Sequence, residues 1–119
     1  MTSQPNANEI NLSPAMQACA ENCLHCHAVC FNSAMTHCLA MGGKHVEQAH
    51  FRLMMNCADV CTTCANFMLA DSPMHAAVCK LCADVCRACA DSCEAVGDMD
   101  ACVAACRRCA KSCAAMAAI

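Results

Sequence analysis

The sequence predicts an all-α domain, an antiparallel up-down-up-down four-helix bundle with a Cys-lined core. Three observations carry that prediction. The chain has 17 Cys in 119 residues, and 12 of the 16 intervals between successive Cys are three or four residues, the spacing that keeps side chains on one helical face. A twelve-residue unit, C-x-x-x-C-x-x-C-x-x-x-[C/M], recurs at 19–30, 57–68, 82–93 and 102–113. Helix start and stop signals fall between its copies.

Each element follows from its own residues. Ser13 and Pro14 open the first helix as cap and first helical residue, and Gly42-Gly43 closes it, giving a helix over 14–41. The second, over 45–69, carries CADVCTTCANFM. Asp71-Ser72-Pro73 caps the third, over 73–95, and Gly97 ends it; the fourth runs over 99–117. Residues 1–13 form a polar N-terminal tail, and 14–119 form a single domain. Short connections make consecutive helices antiparallel neighbours, so the four Cys stripes face a common axis.

Pairing about the turns sorts the side chains into layers. Cys30 is expected level with Cys57, Cys86 and Cys109; Cys26 with Cys61, Cys82 and Cys113; Cys23 with Cys64, Cys79 and Met116. Met54 should meet Cys89 and Cys106. At one end His37 and His50 face Cys93 and Cys102, with Met41 and Met99 near the mouth. At the other, Cys19, Met68 and His75 share a layer, with Met16 outside it.

Composition narrows the function. Leu, Ile, Val and Phe together number 18 of 119 residues, whereas Cys, Ala and Met dominate the 59% hydrophobic fraction. An aliphatic core is therefore thin. A net charge of −3 without basic runs, Trp or Tyr gives no footprint for nucleic acid. No stretch reaches the roughly 20 apolar residues of a membrane span. The polar N-terminus lacks a secretory pattern, so a cytoplasmic, reducing location is expected.

Seventeen thiols on core positions are poor packing, because Leu fills the same layers without oxidation risk. Disulfides fit badly too. The count is odd, and same-face helical neighbours hold their Cβ atoms about 5–6 Å apart where a disulfide wants about 3.8 Å. Metal binding accounts for the pattern. Four thiolates on a divalent zinc leave about −2 per site, with no Lys or Arg on the core stripes to compensate. Cu(I) is monovalent, soft and satisfied by two or three sulfurs, so bridging thiolates at about one metal per Cys leave the core near neutral. Each ion displaces about one thiol proton, which lets the protein fold without metal. A zinc or mixed-metal buffer, a copper-delivery module and an Fe–S protein stand as alternatives.

His37, His50, Met41 and Met54, on the inward stripes at one end, suit transient capture of Cu(I), since imidazole and thioether are weaker ligands than thiolate. Cys38 lies about 100° off its stripe by helix geometry, and His45 is near the turn; both are within reach of the mouth. His25 and His27 fall off the stripe.

The repeated CADVC and CRxCA elements, the HCLAMGGKH turn and the Cys stripes resemble the bacterial four-helix-bundle copper storage proteins, especially the branch without an export signal. The likeness covers roughly 15–117. It implies storage of multiple Cu(I) ions per protomer rather than catalysis, an entrance at a His/Met-lined end, and a homotetramer. By motif match it implies core ligands at Cys19, Cys23, Cys26, Cys30, Cys57, Cys61, Cys64, Cys79, Cys82, Cys86, Cys89, Cys93, Cys102, Cys106, Cys109 and Cys113. Met68 stands where the other repeats have their last Cys.

Overall fold

Four antiparallel helices form a ring in the computed structural model, which describes residues 9–119 and contains no strand among them. Residues 1–8 of the expected N-terminal tail lie outside the described residues. Helix α1 runs Pro14–Ser33 and continues through a π turn, Ala34–Cys38, into a last turn, Leu39–Met41. Helix α2 is Gln48–Leu69, α3 is His75–Val96 and α4 is Asp100–Ala117. Helices α1 and α3 each pack mainly against α2 and α4.

The boundaries follow from capping chemistry. Ser13 Oγ accepts the Met16 amide at 3.2 Å, ahead of Pro14 at the first helical position. The first turn is longer than the sequence suggests. Gly42 and Gly43 adopt positive φ of 65° and 53°, which an L side chain resists, and a short 3₁₀ stretch, Gly43–Val46, follows. Helix α2 therefore begins at Gln48, three residues later than expected. Its cap is Glu47, whose carboxylate accepts the Ala49 and His50 amides at 3.1 Å each.

Helix α3 also starts late. Ser72 caps a turn, with its Oγ on the Met74 amide at 3.0 Å, and Pro73 stays inside that turn instead of opening the helix. Gly97, at φ 86°, ends α3 as its sequence position predicts. On the surface, Arg107 of α4 reaches Asp91 and Glu94 of α3 at 3.3 and 2.6 Å. These ions are exposed, so they fix register more than they stabilise.

All 17 Cys are buried and unbridged. Small Ala side chains at 20, 34, 58, 65, 83, 90, 105 and 110 fill the positions between them, with Met54, Met68, Met99 and Met116 at the ends. The core is the sulfur array itself.

Candidate metal centre

Each helix contributes Cys at steps of three and four to its inner face, and together the four faces line a tube of thiols. Sulfurs approach one another across the tube at 3.4 Å for Cys23 and Cys113, 3.5 Å for Cys30 and Cys106, 3.6 Å for Cys61 and Cys86, and 3.6 Å for Cys64 and Cys79. Covalent bridging would bring sulfurs to about 2.05 Å. Coordination needs a wider spacing. With a metal–sulfur bond of about 2.3 Å, the length of a zinc–thiolate bond, sulfurs sharing one ion sit about 3.8 Å apart in a tetrahedron and about 4.0 Å apart in a trigonal plane. The array already holds its thiols near that spacing.

Four sets of Cys bring four sulfurs within 4.8 Å of one another: Cys23, Cys64, Cys82 and Cys113; Cys26, Cys30, Cys57 and Cys106; Cys26, Cys57, Cys61 and Cys86; and Cys61, Cys82, Cys86 and Cys109. The sets share members. Cys26, Cys57, Cys61, Cys82 and Cys86 each belong to two, so the thiols form a continuous ladder and not separate cages.

That ladder corrects the expected flat layers on one side. The pairs of α2 with α3 stand as expected: Cys57 lies 3.8 Å from Cys86 and Cys61 lies 3.9 Å from Cys82. Between α1 and α4 the register slips by one to two Cys steps. Cys30 and Cys26 meet Cys106, at 3.5 and 3.8 Å, where Cys109 and Cys113 were expected. Cys23 meets Cys109 and Cys113, and Cys19 meets Cys113 at 3.7 Å. No turn joins α1 to α4, so the expectation had to be carried through three turns, two of which proved longer than assumed. Met54 Sδ meets Cys89 at 3.7 Å as expected, and its second sulfur neighbour is Cys93 of the same helix, at 3.3 Å, in place of the expected Cys106.

The end holding the first and third turns is the one where the sequence places His37, Met41 and His50. The π turn is decisive here, since its extra residue rotates the remainder of α1 by about 100°. Cys38 thereby comes onto the stripe, fully buried and 3.9 Å from Met99 Sδ. His37 moves to a half-buried position beside it. Met41, expected on the inward stripe, is corrected by the same rotation. As the last helical residue before Gly42 it projects outward, 54% exposed.

His45 takes the inner place. It is 6% exposed and sits edge-on to His37 with ring centroids 5.0 Å apart. His50 is buried on α2, with Nδ1 2.8 Å from Ser92 Oγ. The Nε2 atoms of His37, His45 and His50 are all shielded from solvent and lack a hydrogen-bond partner. A cleft of about 210 Å³ is lined by Ser33, His37, Asp98, Met99, Asp100, Ala101 and Cys102.

Burial raises some of these thiols above their ordinary value, while hydrogen bonds between thiols lower others. Burial, with Cys93 second, pushes the Cys38 thiol up from its ordinary value, and burial followed by Cys64 does the same for Cys79. Deeper thiols shift in reciprocal pairs. The bond between Cys26 and Cys106 lowers the first and raises the second, so such a pair gives up one proton more readily than two. Among the described residues, the buried polar side chains other than thiols are His45 and His50; no Lys or Arg reaches the core.

Comparison with known proteins agrees with this architecture. A crystal structure of a Nitrosospira multiformis protein superposes with a TM-score of 0.86 at 53% identity, over 87% of this chain and 95% of that one. The Cu(I)-bound copper storage protein BsCsp3 superposes at 0.79 with 37% identity, over 87% and 98%. Apo copper storage protein 3 from Bacillus subtilis does so at 0.70 with 38% identity, over 85% and 97%. A cysteine-rich protein of Bacillus subtilis, YhjQ, is 40% identical over 67 residues, a match spanning 56% of this chain and 61% of that protein. The family model described as copper storage protein matches residues 12–118. Sulfur-lined bundle, structural relatives and family match converge, and the chain belongs to the copper storage protein family.

Proposed function

We propose that this protein stores multiple Cu(I) ions along its thiol tube and takes them up through the His-lined mouth. The shared membership of the Cys sets carries the reading. A bridging thiolate serves two monovalent ions while the net charge stays near zero, whereas separate Zn(II) cages would leave buried negative charge with no cation nearby. Cu(I) displaces the proton of a neutral thiol, so loading exchanges one positive charge for another. The Cu(I)-bound relative has the same bundle.

At the mouth, Asp98 and Asp100 raise the local concentration of cations, and His37, His45 and His50 offer lone pairs that hold an ion loosely before thioether and thiol capture it. Met99 and Met54 stand next along the path. The chain acts as a store in this reading, without a catalytic step. It works in the reducing cytoplasm, where its 17 free thiols persist, and it assembles as a homotetramer. Outward apolar residues of α1, Leu24, Phe31, Met35 and Leu39, support such association.

Anaerobic titration of reduced protein with Cu(I) against a competing chelator tests the function. Uptake should continue to about one ion per Cys. Saturation at one or two ions would mark a delivery or sensing module instead.

A further inference from the structure

The proposed mouth accounts for His37, His45 and His50, and of the remaining histidines one stands at the opposite end of the tube. His75 is the first residue of α3, and its Nδ1 lies 3.0 Å from the backbone carbonyl oxygen of Ser72. A carbonyl oxygen only accepts, so Nδ1 carries the proton and donates it. Nε2 is then the lone-pair nitrogen of the neutral ring. That atom is shielded from solvent and has no hydrogen-bond partner. An acceptor buried without a donor is unfavourable unless something electrophilic meets it. A histidine whose Nδ1–H rests on a carbonyl while Nε2 points free is the arrangement that orients metal-ligating imidazoles.

The neighbourhood supplies the other ligand. Cys79 lies one turn along the same face of α3, where Cβ atoms stand about 5–6 Å apart. It is fully buried, and Cys64 is its close sulfur at 3.6 Å. Cys57, in mid-tube, instead touches Cys26, Cys30, Cys86 and Cys106. An ion held by Cys79 is therefore short of sulfur, and a nitrogen donor on the same face makes up the deficit. Bond lengths of about 2.0 Å to nitrogen and 2.3 Å to sulfur place the two donors of a linear site about 4.3 Å apart, within reach of side chains one turn apart.

We infer that His75 Nε2 and Cys79 Sγ form a mixed nitrogen–sulfur site for a Cu(I) ion that ends the row of thiolate-bound ions at the end opposite the mouth. This rests on the storage reading and adds to it a ligand of a different class. The ion displaces the Cys79 proton, His75 lends a lone pair without losing its own proton, and the site stays neutral. His75 thus acts as a terminator at depth, distinct from the weakly holding imidazoles of the mouth.

The test is nitrogen NMR of ¹⁵N-histidine-labelled protein during anaerobic Cu(I) titration, Cu(I) being diamagnetic, with His75→Ala supplying the assignment. The apo spectrum should show His75 protonated at Nδ1 with an acceptor-type Nε2. On full loading that Nε2 resonance should move to a metal-bound position, and His75→Ala should bind one ion fewer with an unchanged apo melting temperature. Full loading of the wild type with the His75 Nε2 resonance unmoved would overturn the site while leaving the storage reading intact. Failure of the wild type to take up Cu(I) would instead overturn both.

Discussion

Burial in an apolar interior favours the neutral thiol over the thiolate, and it raises Cys38 and Cys79 from the ordinary thiol value. Imidazole and thioether differ from thiol in having a lone pair ready without proton loss. In the proposed reading that difference suits them to the ends of the tube, where an ion is met first or held last. His37, His45 and His50 each present a shielded, unpartnered Nε2 at the mouth. Replacing all three with Ala should slow Cu(I) loading about tenfold, a barrier change of about 1.4 kcal/mol, while leaving capacity within an ion or two of the wild type. Stopped-flow transfer from a chromogenic Cu(I) chelator measures both. Unchanged kinetics would place the entrance elsewhere.

At the scale of elements, the Cys stripes and the four repeated units were legible because helical period and burial coincide. Cys57, Cys61, Cys64, Cys82, Cys86 and Cys89 need nothing beyond their spacing to face inward. What escaped the sequence were departures from regular geometry. Nothing in Ala34-Met35-Thr36-His37-Cys38 announces a π turn, yet it exchanges the roles of His37 and Cys38 and leaves Met41 outside. A local cause is visible in the structure. Thr36 Oγ1 donates to the Asn32 carbonyl at 2.7 Å, occupying the acceptor that the Thr36 amide would take in a regular turn. His45 escaped as well, because it sits in a 3₁₀ stretch with no stripe to place it.

The π turn behaves as a one-residue insertion in α1. Cys38 lies eight residues after Cys30; in a shortened helix it would lie seven after, which is on the stripe of an ordinary α-helix. Deleting Thr36 should therefore convert the turn to regular helix and keep Cys38 buried, with a melting temperature equal to or above that of the parent. Alkylation of the native reduced apo protein, followed by mass spectrometry, reads the outcome. Labelling at Cys38 in the deletion variant but not in the parent would contradict the insertion account.

Taken whole, the molecule has one array as its core, and in the storage reading the same array is the ligand set. Few aliphatic side chains are available, so the stability of the bundle comes from close-packed Cys, Ala and Met. Pre-spaced thiols mean that loading requires no large rearrangement. The sharing of Cys26, Cys57, Cys61, Cys82 and Cys86 between sets means that ions fill a continuous ladder. Register between α1 and α4, which no turn fixes, was beyond the reach of sequence pairing, and the slip there makes the array a ladder instead of a stack of rings.

The central claim is that monovalent ions replace thiol protons one for one throughout this tube. An anaerobic pH-stat titration of reduced protein with Cu(I), counting metal bound and protons released together, tests it most directly. The account predicts about one proton per ion, held constant up to about one ion per Cys. Release of two or more protons per ion with uptake ending at a few ions would show separate thiolate cages and contradict it.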